Sequence, residues 1–336
     1  MNILVTGGAG FIGSHTAVAL FEAGLNPVII DDFSNSDLRI IDGLEKIIGR
    51  KISWHQKDCS DPAVLRDLFD RENIRGVIHF AAFKSVGESM ANPLKYYRNN
   101  LGSLITLLEV MIEKKVPDLI FSSSCTVYGE PDHLPVTEST PFKPAESVYG
   151  NTKQIGEEML RDTVASGAPL RIISLRYFNP IGAHPSALIG ELPRGVPSNL
   201  VPFMAQSAAG KRGAITVFGN DYPTPDGTCV RDYIHVMDLA EAHVAALKKL
   251  MDLKTGNYYD VFNVGTGKGN TVLEVLHTFE QVNNLQLNYK IGPRRPGDVV
   301  AVYAEVAKSE RELGWKTGRT LEEGLRDAWR WQLAIG

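Results

Sequence analysis

MNILVTGGAGFIGSH, residues 1–15, carries the strongest structural signal in the chain. A short apolar run, NILVT, leads into glycines at positions 7, 10 and 13, and these lead into a helical segment, FIGSHTAVALFEAG. Gly7 permits a tight turn, Gly10 lets backbone approach a pyrophosphate, and Gly13 lets helix and strand touch. The helix N-terminus adds N–H groups and the positive end of its dipole. With strand and helix both in place, the stretch reads as a dinucleotide cradle rather than a structural turn. The second strand ends VIIDDFSN, and Asp31 falls eighteen residues past Gly13, where an acidic side chain accepts hydrogen bonds from an adenosine ribose. Asp31 is expected in that role, with Asp32 adjacent. A carboxylate there repels the extra phosphate of NADP, so NAD is the expected cofactor. Asp58, after the third strand, is read either as an adenine contact or as an N-cap-like loop residue.

Beyond the cradle, short apolar runs alternate with amphipathic segments: NPVII, KISWH, RGVIHFAA, DLIFSSS and LRIISLRYF. That rhythm predicts an α/β fold, a Rossmann-type doubly wound parallel sheet covered by helices. Asp61-Pro62 and Asn92-Pro93 each place a capping side chain before a proline at the first helical position, and Gly24 closes the first helix. From residue 179 to 228 the chain turns Pro/Gly-rich, with one helix-like piece near 200–209, and then returns to helices and short strands with capping boxes at Thr271/Glu274 and Thr320/Glu323. At 336 residues two lobes are expected: a dinucleotide-binding domain over 1–178 and a smaller C-terminal α/β substrate lobe over 179–336, with segments free to interleave.

Composition narrows the function. With 35 Lys+Arg against 39 Asp+Glu, the net charge is −4, and no basic block follows a nucleic-acid backbone or an anionic membrane. An anionic ligand must therefore be gripped locally. Cys59, Cys125 and Cys229 form no metal-type spacing and no disulfide framework, and no metal site is expected. The N-terminus lacks a signal peptide's features and no stretch reaches the length of a membrane span, so a cytoplasmic protein is expected.

SVYGNTKQIGEE, residues 147–158, sets the Tyr149 phenol four residues before the Lys153 ammonium, on one face of a helix start. FSSSCTVYG ends the fifth strand and FAAFKSVGES follows the fourth, so all three segments lie beyond the C-terminal ends of parallel strands, where open sheets place ligands. A phenol near its ordinary pKa of ~10 makes a poor base. A positive charge at ~4 Å, at an effective dielectric near ~20, favours the phenolate by roughly 4 kcal/mol, or about three pKa units. That would bring Tyr149 near neutrality, where general acid–base work is efficient, and an oxidised nicotinamide pushes the same way. The fitting chemistry is removal of a hydride from a carbinol carbon as its hydroxyl proton leaves, with Ser124 holding the hydroxyl.

At this point the sequence resembles the extended short-chain dehydrogenase/reductase superfamily and, within it, the UDP-glucose (UDP-galactose) 4-epimerase family. VTGGAGFIGSH, AAFKSVGES, FSSSCTVYG, YGNTK, RYFNPIGAHPS, GTCVRDYIHVMDLA, FNVGTGKG and RRPGD look like family motifs in family order, across essentially the whole chain. The resemblance implies that Tyr149 is the base, that Lys153 tunes it and holds the nicotinamide ribose, and that Ser124 aids proton movement. It implies hydride removal from sugar C4, a 4-keto intermediate that turns within the site, and hydride return to the opposite face. The expected cofactor contacts are Gly7, Gly10, Phe11, Ile12, Gly13, Asp31, Asp32, Asn35, Ser36, Asp58, Phe80, Ala81, Ala82, Lys84, Asn99, Tyr149, Lys153 and Tyr177. A homodimer through helices near 93–115 and 146–166 is implied as well.

A UDP group offers two phosphates and a flat base, and the planar forks of Arg231 and Arg295 suit the diphosphate. By resemblance, Asn179, Asn199, Leu200, Tyr233 and Asp298 join them around the nucleotide, with Phe218 a wall for uracil and Tyr177, Phe178 and Lys84 near the sugar. His184 and His235 read as structural. Val302 stands where the family commonly carries tyrosine or a smaller residue bounding the sugar pocket. Valine leaves room for an N-acetyl group at C2, which makes UDP-N-acetylglucosamine/UDP-N-acetylgalactosamine an expected second substrate pair. The alternative is a register in which Tyr303 forms the wall. Competing readings are a dehydratase, disfavoured because Cys125-Thr126 replaces the family's Asp-Glu pair, a decarboxylase, and a non-catalytic NAD-sensing module.

Overall fold

The computed structural model describes residues 1–254, 256–295 and 297–336. The elements run β1 (Asn2–Thr6), α1 (Phe11–Glu22), β2 (Asn26–Asp31), α2 (Leu38–Ile48), β3 (Ser53–Gln56), α3 (Pro62–Arg71), β4 (Ile74–His79), α4 (Val86–Ala91), α5 (Pro93–Tyr96), a π-helical turn (Tyr97–Leu101), α6 (Gly102–Glu113) and β5 (Asp118–Ser122). After a 3₁₀ turn at Cys125–Tyr128 come α7 (Val148–Ala165), β6 (Arg171–Tyr177), β7 (Asn179–Ile181), α8 (Leu200–Ala208), β8 (Ile215–Phe218), β9 (Val230–His235) and α9 (Val236–Asp252). The chain ends with β10 (Tyr258–Val264), β11 (Gly269–Thr271), α10 (Val272–Asn283), β12 (Tyr289–Gly292), β13 (Ala301–Val302), α11 (Ala307–Leu313) and α12 (Leu321–Ala334). Among the described residues no helix is long and apolar enough to cross a membrane.

Seven parallel strands form the main sheet in the order β10-β6-β5-β4-β1-β2-β3. Alternation along β1 explains why it is covered on both faces: Ile3 and Val5 pack with Leu20 of α1 and Leu247 of α9, whereas Leu4 packs with Leu65 of α3 and Leu104 of α6. The chain winds outward from β1 to β3 and then resumes at β4 on the other side of β1. The ends of β1 and β4 therefore flank a topological switch point, where such sheets bind ligands.

The boundary expected at residue 178 is crossed twice. β10 pairs with β6 from Tyr258↔Arg171 to Val264↔Tyr177, and α9 packs on the main sheet beside α1. The segment 236–264 thus belongs to the first body, an interleaving set by pairing between distant segments. The smaller body joins β7, β9, β11 and β13 in one sheet and β8 with β12 in another, over a core that includes Met204, Val217, Phe279 and Leu325.

Asp61 accepts from Ala63 N at 2.8 Å and so caps α3, and both capping boxes are formed. Asn92 does not cap: its N–H closes α4 on Glu88 O at 2.9 Å, which leaves its backbone outside cap geometry and its side chain unused there.

Candidate active site

Gly7 turns with φ +66, and a Cβ on Gly13 would lie 2.4 Å from Gly7 O, so the turn and the entry of α1 interlock only with glycine at both places. Gly10 occupies the N-cap without a side-chain cap, and the first intrahelical bond, Ser14 N to Gly10 O, leaves the N–H groups of Phe11, Ile12 and Gly13 ahead of it. An uncapped helix start behind a side-chain-free turn fits a pyrophosphate. The Phe80–Ala82 segment borders this turn, since a Cβ on Gly7 would meet Ala81 N at 2.9 Å. It is tied down by Phe80 N to Thr6 O at 3.0 Å and by Ala81 N to Thr6 Oγ1 at 3.2 Å.

Asp31 spans the cradle and the end of β2. Its carboxylate accepts from Ala9 N at 3.0 Å, Phe33 N at 2.9 Å and Ser36 Oγ at 2.7 Å. Burial pushes its pKa up against the pull of these donors. A carboxylate has about four lone-pair sites, so a ribose would share this one with the loop. Asp32 and Asn35 are exposed, and Asp32 accepts from Ser34 N at 2.8 Å. Asp58 accepts from Ser60 N at 2.8 Å, the loop role of its two readings. Arg194, absent from the expected set, reaches from the Pro/Gly-rich stretch to donate to Ser34 O at 2.9 Å and Ser36 O at 2.7 Å.

β5 and α7 assemble the candidate acid–base set. Ser147 caps α7 by accepting from Gly150 N at 3.0 Å, which starts the helix at Val148 and sets Tyr149 in its first turn. The Ser124 hydroxyl accepts from Thr126 N at 3.2 Å and stands close enough to the Tyr149 phenol to favour its ionised form. Lys153 Nζ lies 5.9 Å from the centre of the Tyr149 ring and 5.0 Å over Phe121, and it donates to Ser122 O at 2.6 Å. Burial pulls the Lys153 pKa down to about 8, opposed by the charge of Glu157. Burial also dominates at Tyr149 and pushes its phenol above the ordinary value, with Ser124 pulling the other way. Burial thus opposes the expectation that the Lys153 charge, with an oxidised nicotinamide pushing the same way, brings the phenol near neutrality. That estimate set a charge at contact distance and counted no desolvation, whereas the ammonium is turned to a carbonyl. Tyr177 shares a hydrogen bond of 2.5 Å with Ser122 Oγ, and burial raises it to about 12.

Of the expected nucleotide-sugar residues, Phe218, Arg231, Arg295 and Asp298 come together. Asp298 accepts from Arg295 Nη2 at 2.7 Å and Nε at 3.0 Å, and Arg231 Nη2 lies 3.7 Å from it. The Arg295 guanidinium stands 5.6 Å from the Phe218 ring, while neighbouring Arg294 turns away to Asp221 and Tyr222. Two guanidinia share one carboxylate here, leaving positive charge for an anion. Asn179 pairs with Tyr233 in the β7–β9 register, and Asn199 precedes Leu200 at the start of α8. Val302 pairs with Arg231 and packs with Phe178 and Tyr128, whereas Tyr303 faces Gly269. Asn99 sits in the π-helical turn, donating to Asn100 Oδ1 at 3.0 Å.

Sequence reasoning passed over Glu191, whose Oε1 lies 3.2 Å from Lys84 Nζ and accepts from Asn199 Nδ2 at 3.0 Å. One carboxylate thus links an expected cofactor residue to an expected nucleotide residue. A carboxylate standing in a Pro/Gly-rich loop, GELPRG, was the available signal. His235 caps α9 through Met237 N at 3.0 Å. Burial raises the Cys125 thiol to about 12, which makes it no acid–base partner for an elimination. A separate concavity of about 680 Å³, lined by Glu22, Lys248, Asp252 and Glu312 among others, holds none of these side chains.

A family model described as GDP-mannose 4,6 dehydratase matches residues 4–328. A UDP-glucose 4-epimerase of Dictyostelium discoideum is 49% identical over 331 residues, 98% of this chain and 95% of that protein. Among solved structures, a Stenotrophomonas maltophila UDP-glucose 4-epimerase with bound NAD and formylated UDP-arabinopyranose superposes with a TM-score of 0.96 at 47% identity, covering 100% of this chain and 98% of the other. The Bifidobacterium longum UDP-glucose 4-epimerase in complex with NAD+ and UDP gives a TM-score of 0.94 at 45% identity, covering 99% and 98%. The same fold, the same length and nearly half the residues are shared, so the chain belongs to the UDP-glucose 4-epimerase family, within the wider group that the dehydratase model describes.

Proposed function

We propose that the protein interconverts UDP-glucose and UDP-galactose by inverting sugar C4 with NAD retained. The observation that carries the reading is the meeting of Ser124, Tyr149 and Lys153 beyond β5, on the same side of the sheet as the uncapped start of α1. The glycine turn and the first turn of α1 would hold the pyrophosphate of NAD, and Asp31 its adenosine ribose. NAD, when bound, supplies a reversible hydride acceptor and, in its oxidised form, a positive charge. Tyr149 Oη receives the C4 hydroxyl proton and later returns it, and Ser124 Oγ holds that hydroxyl in line. Because burial disfavours the phenolate, Lys153 must contribute as a cation for this transfer to run near neutral pH. Arg231 and Arg295 hold the diphosphate, so the sugar is tethered at one end and free to turn at the other.

The test is product analysis over a panel of UDP-sugars with no added reductant, beside an absorbance scan for retained NAD. Conversion of UDP-galactose to UDP-glucose is expected. NAD retention without any turnover would overturn the reading in favour of a sensor.

Val302, small and packed against Phe178, supports acceptance of UDP-N-acetylglucosamine and UDP-N-acetylgalactosamine. Val302→Tyr should lose the acetylated sugars and keep the plain ones, and equal exclusion of the acetylated sugars by both proteins would refute this. A homodimer is the proposed assembly, supported by Leu94 of α5 and by Ile105 and Ile112 of α6, which stand exposed. The three free cysteines suit a reducing, cytoplasmic setting.

A further inference from the structure

Behind the acid–base set lies a closed ion pair that the mechanism above leaves unused. Glu157 and Arg176 are 3% and 5% exposed. Glu157 follows Lys153 by four residues, as Lys153 follows Tyr149, so the three form one stripe along α7. Facing that stripe is the serine run that ends β5, and each serine meets one member of it. Ser124 stands beside the Tyr149 phenol and favours its ionised form, Ser122 O accepts from Lys153 Nζ at 2.6 Å, and Ser123 Oγ donates to Glu157 Oε1 at 2.5 Å. From β6, Arg176 locks the same carboxylate through Nη2 to Oε2 at 2.6 Å and Nε to Oε1 at 2.9 Å. Its remaining Nη1 donates to Tyr128 Oη at 3.1 Å and Glu138 O at 3.0 Å.

We propose that Glu157, locked by Arg176, is a positioning residue of the reaction: it fixes α7 against β5 so that Tyr149 meets Ser124 and the Lys153 ammonium stays on the Ser122 carbonyl. Glu157 does not touch the reacting atoms, and it acts through Lys153 and through the register of the serines. Its charge also opposes the burial that pulls Lys153 down to about 8. Other groups around Lys153 do not take over that task. His79 of β4 is held neutral, its pKa pulled to about 3 by burial, Tyr149 on α7 is a phenol raised by burial, and Tyr177 of β6 is bound to Ser122 Oγ. Arg176 is itself a cation and works the other way. The carboxylate one turn beyond Lys153 is thus the negative charge that favours its ammonium.

The inference rests on the proposed epimerase reading, and the two fail differently: a wild-type protein without turnover sinks the reading, whereas an active wild type with an indifferent Glu157 sinks only the inference. Glu157→Gln keeps the shape and removes the charge. In a folded variant that retains NAD, kcat for UDP-galactose should drop roughly 10- to 100-fold, the scale of a small misplacement. The KM should stay within about two-fold, because uniform substrate binding is untouched. The alkaline limb of the pH profile should move down by about one unit, matched by a lower Lys153 pKa measured by NMR without turnover. Adding Arg176→Gln removes the orphaned cation and should move the limb back part of the way while kcat stays low. Wild-type kcat and limb in Glu157→Gln would overturn the proposal. So would a loss uniform across pH that Arg176→Gln reverses in full, the mark of packing alone. If Glu157→Gln does not fold, Ser123→Ala decides: kcat lowered roughly 3- to 10-fold with a limb shift in the same direction supports the proposal, and wild-type values overturn it.

Discussion

Two arginine–carboxylate groupings in this molecule use the same chemistry and differ in closure. At Arg176 and Glu157 each of the five donors and acceptors described has a partner inside the protein, and both side chains are out of solvent. At Arg231, Arg295 and Asp298 two guanidinia share one carboxylate, and the Arg295 side chain stays 49% exposed above Phe218. Spent inside, an arginine sets the position of other residues. Held half-exposed at an open edge, with a carboxylate shared between two guanidinia, it keeps positive charge toward solvent. The aromatic ring and the neighbouring β9–β13 pairing hold the open pair in place without closing it.

The sharpest way to break this contrast is to remove one member from each. Arg176→Met leaves Glu157 charged and buried without its partner, and should cost about 3–5 kcal/mol in urea unfolding. Arg295→Met, at a half-exposed site, should cost no more than ~1 kcal/mol. Equal costs would erase the distinction.

Closure also governs the response to acid. Burial lowers His15 and His79 to about 3 and His243 to about 4, from an ordinary 6.5. A base whose folded pKa is depressed binds its proton first in the unfolded chain, so stability falls as pH drops below 6.5 and keeps falling toward the folded values. Unfolding free energies at pH ~7 and ~5.5 should differ by about 1 kcal/mol for each histidine. Asp31, Asp118 and Asp232, raised by burial, oppose the trend as pH falls further. No change between those two pH values would place the histidines in contact with water.

The open pair is probed by affinity. Arg231→Met and Arg295→Met should each weaken UDP binding by about 1.5–3 kcal/mol, roughly 10- to 100-fold by calorimetry. Lysine should restore little, since a point charge does not reproduce the fork. A full rescue by lysine would mean that charge alone matters there.

How much of this was legible in the sequence follows from the range of each interaction. The glycine cradle, the first six strands, the capping boxes and the Tyr149–Lys153 spacing are local, and each is readable within about a dozen residues. The pairing of β10 with β6 and the packing of α9 against the main sheet join segments far apart in the chain, and periodicity does not report them. Glu191 linking Lys84 to Asn199, and Arg176 from β6 meeting Glu157 on α7, were missed for the same reason. The opposing pull of burial on the Tyr149 phenol was not legible, because a charge can be read from sequence and desolvation cannot. Asn92 misled because its motif is a cap only when the preceding helix does not need the same residue to end.

That last case gives the smallest of the expected effects. Thr320→Ala, which removes a formed capping box, should cost about 1 kcal/mol, and Asn92→Ala, which removes no cap bond, should cost near zero. Similar losses from both would show that cap geometry at α5 forms in solution.

The proposed chemistry stands or falls at one phenol. Tyr149→Phe, assayed for conversion of UDP-galactose with retained NAD and UDP affinity measured in the same preparation, should lose roughly 100- to 10,000-fold in turnover while both ligands bind as before. Interconversion at wild-type speed with that hydroxyl gone would contradict it.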